Sequence, residues 1–540
     1  MSRKPHIFFI MTDELRADVF GYLGHPIVQT PHLDQLAADC AVFHNAYTNC
    51  PMCAPARTSL ATGRYGLSHG VLDNGFAPVP DELSLYQVMS DQGYRTINYG
   101  KIHFNTPGTF GFEEHYARSN FSGSGITVFG VKNEELRRKS VYKKNEGEIS
   151  LIIHGVNPQQ PEKTSDSLLT QAYVDRLIEL KDSERPLFHR LSMIDPHTPY
   201  FPTEPYASMY DPKEMPLPSS WQEDLSSKPL MHRYYYRARG FDRLTEEDYR
   251  KSLASYYGLV THVDNRVGQI IQMLKELNLY DDSIIVFTSD HGSMMGEHGF
   301  IEKWGIMYEE VARIPLLIKF PQSAYQGSYE EFAEIVDIMP TLLDAAGLEV
   351  PACVQGKSLI PILQRVEGSA KSEVYGHFFT GGLQTEPALM IRRGEWKLTV
   401  YPNQEAMHDR LLEDHYLKYT SMFLDDVVPG ELYNLTNDPQ ERQNLFHDDT
   451  YADVKEQLLA KLEEWRASLG LIADFEELEQ SRNTVNSYHL MHADNMAKAQ
   501  KLWRKSDKGY RRLARKMTEE VSAAQTIPSV STSESGGANE

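Results

Sequence analysis

The stretch His6-Ile-Phe-Phe-Ile-Met-Thr-Asp-Glu14 is a continuous apolar run rich in β-formers, followed at once by two carboxylates. A run that is apolar at every position marks a strand buried on both faces, as in a parallel sheet covered by helices. Ligand sites of open α/β sheets collect past the carboxyl ends of such strands, where Asp13 and Glu14 sit. The same unit recurs as Ser283-Ile-Ile-Val-Phe-Thr-Ser289, followed by Asp290-His291-Gly292. Between and beyond the two, helical spacing over 30–39, 83–93, 164–182, 248–278 and 340–346 alternates with strand patterns over 41–47, 94–99, 186–193, 314–320 and 334–338. This order predicts an α/β fold with a large, mostly parallel sheet flanked by helices. An Asp at a strand end can be only a helix cap. Four donors from two ends (Asp13, Glu14, Asp290, His291) can also surround one divalent cation. Oxygen-rich ligation with one imidazole suits calcium first, with manganese the alternative, and does not exclude magnesium or zinc.

Outward from these strands, Thr48-Asn-Cys-Pro-Met-Cys-Ala-Pro-Ala-Arg-Thr-Ser-Leu-Ala-Thr-Gly-Arg64 reads as a loop delivering a cysteine to a short helix over 58–62, ended by Gly63. Cys53 is expected just ahead of the helix N-terminus, with Arg57 four residues on, and both features favour an anion there. A structural cysteine in a turn is the equal alternative. In Gly93-Tyr-Arg-Thr-Ile-Asn-Tyr-Gly-Lys-Ile-His103, Gly100 permits a sharp turn, and Lys101 and His103 can point the same way from extended chain. In Asp195-Pro-His-Thr-Pro-Tyr200 two prolines stiffen the loop that carries His197. His262 and Asp264, on the longest helix, read as structural. Cys50-Pro-Met-Cys53 spells Cys-x-x-Cys, but no second Cys/His pair supports a zinc or redox reading.

Cys53, Pro55 and Arg57, continuing into Leu60, Thr62, Gly63 and Arg64, resemble the signature of the sulfatase family. The stretch 93–103 is similar to the family's second signature at Gly93, Tyr94, Thr96, Gly100, Lys101 and His103. The resemblance covers roughly residues 5–470. It implies an alkaline-phosphatase-like fold and a Cys53 oxidised to formylglycine by a formylglycine-generating enzyme. It also implies a metal held by Asp13, Glu14, Asp290, His291 and residue 53, and catalytic roles for Arg57, Lys101, His103, His197 and Lys303. One hydroxyl of the aldehyde hydrate would attack sulfur, and the other, deprotonated by His103, would expel sulfate. Two departures stand out: Ala56 replaces a common serine, and Glu14 replaces the second Asp of the first strand end. A sister group with the same nucleophile hydrolyses phosphonate monoesters and phosphodiesters, and is the runner-up. A non-catalytic binding protein with an unmodified thiol is the alternative from another class.

At 540 residues the chain exceeds one ordinary core. The expected division is a catalytic domain over 1–371, a smaller α+β subdomain with an antiparallel sheet over 372–480, and a tail over 481–540. That tail is basic over 498–516 and is expected to serve as a homo-oligomer contact. A net charge of -21 argues against a nucleic-acid partner. The first apolar run is too short for a secretory signal, and no run spans a bilayer, so the chain reads as cytoplasmic and without membrane partners. Four cysteines are too few for a disulfide scaffold. The expected substrate is a small anionic sulfate ester.

Overall fold

A computed structural model describes residues 4–79, 81–105, 109–116, 153–303, 305–379, 387–402 and 428–469. An eight-stranded sheet runs in the order β4-β3-β5-β1-β6-β7-β2-β8. Its strands are β1 (Ile7–Thr12), β2 (Ala41–Tyr47), β3 (Arg95–Gly100), β4 (Glu114–Tyr116), β5 (Leu187–Ser192), β6 (Ile284–Ser289), β7 (Leu316–Lys319) and β8 (Gly327–Glu334). Only β7 runs against the others. The two stretches that are apolar throughout became the sheet's centre, β1 and β6, and every one of their residues is buried. Helices Ser165–Leu180, Glu246–Glu276 and Ile338–Ala345 present apolar residues to the interior.

The register positions the chemistry. Met11 lies opposite Ser192 of β5 and Thr288 of β6, and Ser192 lies opposite Gly100 of β3. Four adjacent parallel strands therefore stop at one level, and their loops open at the same edge. A second sheet, antiparallel and in the order β12-β11-β10-β9, uses β9 (Glu373–Phe378), β10 (Ala388–Arg393), β11 (Trp396–Val400) and β12 (Gly430–Asn434). Helix Ala452–Ser468 packs its Leu458, Leu462 and Trp465 with Ile391 and Leu398 of that sheet.

Two expectations shifted. The helix after Cys53 begins at Cys53 itself, not at 58, and runs to Thr62. Pro55 falls in its first turn, where the missing N–H has no partner to lose, and Ala56 N–H already reaches the Met52 carbonyl at 3.0 Å. The strand expected over 334–338 lies earlier, as β8, and Ile335–Asp337 winds into a short 3-10 helix. A brief apolar run such as Ile335-Val336 fits a buried helix as well as a strand. Among the described residues, no helix is long and apolar enough to cross a membrane. Most of the insertion over 104–165, and the whole 481–540 tail, lie outside the described residues.

Candidate active site

Thr12 pairs with Ser289, so Asp13 and Asp290 leave adjacent strand ends side by side, both fully buried. Helix Cys53–Thr62 brings Cys53 to the same point, with Ala54 N–H capped by Asn74 Oδ1 at 2.9 Å. The sulfur of Cys53 lies 3.5 Å from Asp13 Oδ1 and 3.4 Å from His291 Nε2. Donor atoms of Asp13, Cys53, Asp290 and His291 all fall within 4.8 Å of one another. His291 Nδ1 faces the Gly292 carbonyl at 2.8 Å, which can only accept. That contact fixes the tautomer and turns the Nε2 lone pair inward, as metal-binding imidazoles are usually held. Two carboxylates, one thiol and one oriented imidazole make a donor set fit for a divalent cation.

Glu14, the fifth expected ligand, is placed differently. Its backbone turns into the left-handed region (φ 65°), a conformation that persists at functional sites when surrounding contacts fix it. Its N–H donates to Asp290 Oδ1 at 3.2 Å, and its carbonyl accepts from Tyr256 OH at 2.9 Å. The carboxylate accepts from Lys303 Nζ at 2.7 Å and from Ser293 Oγ at 2.9 Å, and stands outside the four-donor group. Lys303 Nζ is also 2.6 Å from His197 Nε2. His197 Nδ1 faces the Thr198 carbonyl at 2.5 Å, so its proton belongs there and Nε2 faces the site. Burial and Lys303 oppose protonation of this ring, but Glu14 and Asp13 outweigh them and raise its pKa.

Arg57 was expected to face the substrate anion. Its guanidinium instead grips the carboxylates from behind, with Nε 2.8 Å from Asp290 Oδ2 and Nη2 3.4 Å from Asp13 Oδ2. Nη1 completes the grip on Ser192 Oγ at 2.7 Å. Lys101 Nζ pairs with Asp13, and His103, also in the left-handed region (φ 57°), bears on the Cys53 sulfur. Burial works against a thiolate at Cys53, yet Lys101, Lys303 and the imidazoles of His103 and His197 hold its pKa well below the ordinary thiol value. Burial also keeps His103 below the usual imidazole range. Cys53 is thus a buried thiol whose surroundings favour an anion.

Every expected site residue converges here. His262 and Asp264 do not: His262 contacts Arg266, and Asp264 accepts the N–H groups of His32 and Leu33. Sequence reasoning missed Ser192, Ser293 and Tyr200, the last 3.5 Å from Glu14 Oε1. Ser192 carried the signal of a strand's carboxyl end, Tyr200 closes a motif already singled out, and Ser293 directly follows Asp290-His291-Gly292.

Residues 5–348 match the family model described as Sulfatase. The chain belongs to the sulfatase family. Residues 296–414 of this sulfatase also match the C-terminal family described as N-sulphoglucosamine sulphohydrolase. It is 30% identical to a multifunctional alkaline phosphatase superfamily protein of Trinickia caryophylli, over 87% of this chain and 96% of that protein. It is likewise 30% identical to an arylsulfatase of Clostridium perfringens, over 70% of this chain and 82% of that one. Among solved structures it resembles a phosphonate monoester hydrolase of Silicibacter pomeroyi, with TM-score 0.69, 24% identity, and 87% and 96% of the two chains covered. That last likeness speaks for the fold.

Proposed function

We propose that this chain is a metal-dependent sulfuric ester hydrolase in which Cys53, converted to formylglycine, is the nucleophile and inorganic sulfate is released. The observation that carries the reading is Cys53 Sγ at the first residue of a buried helix, 3.5 Å from Asp13 and 3.4 Å from His291. The sulfur marks where the aldehyde hydrate oxygens would stand. A divalent ion, calcium first and manganese second, would be held by Asp13, Asp290, His291 and residue 53, and would supply positive charge to the ester oxygens and acidify the nucleophile.

The chain's own residues do the rest. Lys101 and Lys303 bring two ammonium groups to the ester oxygens, where negative charge redistributes during cleavage. Arg57 holds Asp13 and Asp290 in their shared orientation. His103, kept neutral by burial, accepts a proton from residue 53, and His197 delivers one to the departing alcohol oxygen. Lys303 and Glu14 fix the His197 ring for that transfer. Maturation would require a formylglycine-generating enzyme.

A second reading, phosphonate monoester or phosphodiester hydrolysis with the same nucleophile, is favoured by the similarity to a protein named multifunctional. Side-by-side kcat/KM for an aryl sulfate, an aryl phosphonate and an aryl diester decides between them. A clear preference for phosphorus esters would overturn the sulfatase assignment. Intact-mass analysis of the peptide holding Cys53 tests the nucleophile, because exchanging SH and H for O makes it about 18 Da lighter. An unshifted peptide from active protein would remove formylglycine from the mechanism.

A further inference from the structure

Strand β5 buries a positive charge that no carboxylate among the described residues contacts directly, although Asp290 acts on it from a distance. Arg190 is fully buried, and among the described residues no acid lies within ion-pair distance of it. Its Nη1 donates to Asn98 Oδ1 at 2.7 Å and to the Lys101 carbonyl at 3.4 Å, and its Nη2 approaches Met11 Sδ at 3.2 Å. The rings of Tyr86 and Phe112 flank it, 5.7 and 6.0 Å from the guanidinium carbon, and Nε has no hydrogen-bond partner. Burial pulls its pKa down to about 10. An unpaired buried ion costs stability, and an apolar side chain would fill the same space without that cost. Stability therefore does not account for an arginine here.

What it holds does. The Lys101 carbonyl receives Arg190 Nη1 and, at 3.3 Å, Arg57 Nη1. Asn98, fixed through its Oδ1 by Arg190, donates from Nδ2 to the Gly100 carbonyl at 3.1 Å. Lys101 N–H donates to the Ser192 carbonyl at 3.1 Å. Gly100 itself has φ +89°, and a Cβ there would stand 2.1 Å from the Ser192 oxygen. The peptide groups on both sides of Lys101 are thus clamped, and from there its ammonium pairs with Asp13.

We propose that Arg190, acting with Asn98, is a positioning residue that clamps the Gly100–Lys101 backbone so that the Lys101 ammonium meets the tetrahedral anion. The inference rests on the anion-ester reading of the site but is tested without turnover. The probe is inorganic sulfate, with its Kd measured by calorimetry on the full-length wild type, Arg190→Met, Asn98→Ser, Lys101→Met and the Arg190→Met/Lys101→Met double variant. Loss of such an outer partner is expected to weaken sulfate binding about 10- to 100-fold in Arg190→Met and in the same direction in Asn98→Ser. The double variant is expected to bind no more weakly than Lys101→Met alone, because one clamp acts through one lysine. Arg190→Met is expected to unfold at the same or a higher urea concentration than wild type. An Arg190→Met protein that unfolds earlier, that binds sulfate like wild type, or whose loss adds in full to that of Lys101→Met overturns the proposal. So does a wild type that binds no sulfate. Wild type that binds sulfate yet hydrolyses neither sulfate nor phosphorus esters defeats the functional reading alone, and the cycle still judges Arg190.

Discussion

Replacing Arg57 by Met tests the electrostatics of the site most directly. Arg57 has no solvent exposure, and its Nε bond to Asp290 Oδ2 at 2.8 Å is the closest cationic contact of that oxygen. Asp13 keeps Lys101 when Arg57 goes, but Asp290 Oδ2 keeps no cation within 4 Å among the described residues. A carboxylate left in that position must stay charged in a dry site or take up a proton. Removing one partner of a buried pair in this way costs roughly 3–5 kcal/mol. Urea unfolding of chelated Arg57→Met should therefore show a loss of about 3–5 kcal/mol relative to chelated wild type. In saturating calcium the loss should shrink to less than about half, because without the Arg57 guanidinium the two carboxylates bind the ion more tightly than in wild type. Equal losses with and without calcium would mean that Arg57 does not compete with a calcium ion for Asp13 and Asp290. A loss below about 1 kcal/mol in the chelated protein would refute the reasoning about burial as well.

Further tests bear on the neighbouring groups. Lys303→Met strands the buried Glu14 carboxylate and should destabilise by about 3 kcal/mol, whereas Lys303→Met/Glu14→Gln should recover most of that in the same urea titration. Gly100→Ala, at φ +89° against the Ser192 carbonyl, should lower stability by more than about 1 kcal/mol and reduce turnover with it. Chelation should abolish hydrolysis and lower the melting temperature, and readdition of calcium at about 100 times its Kd should return about 2.7 kcal/mol. Acid should destabilise the fold through His189, which burial holds neutral with a pKa of about 3 between Tyr173 and Tyr99. The unfolded chain binds this proton below about pH 6.5 and the folded chain does not, so stability is complete above that value and falls as pH drops toward 3. At pH 5.5 the loss from this one ring is about 1.4 kcal/mol. His189→Phe should flatten the stability–pH curve between pH 7.5 and 5.5 by that amount, and an unchanged slope would mean that the ring titrates normally in the fold.

The sequence by itself determined the sheet's centre and the chemistry at its edge. Runs such as Ile7-Phe-Phe-Ile-Met11 and Ile284-Ile-Val-Phe287 have no solvent-facing alternation, so burial on both faces was the only inexpensive arrangement, and the acids after them had to fall at strand ends. The Cys53, Lys101–His103 and His197 loops were legible because Pro restricts the backbone locally and Gly permits turns that other residues avoid. Direction and partnership were not legible. Whether Arg57 faces a ligand or grips Asp13 and Asp290, and whether Glu14 joins a metal or pairs with Lys303, depends on which strand lies beside which. That order, β3-β5-β1-β6, joins residues separated by up to about 280 positions. Local periodicity carries no information across such distances, because pairing is decided by burial and charge balance in the finished core. For the same reason nothing in the strand Leu187–Ser192 singled out Arg190 until the fold placed it beneath Lys101.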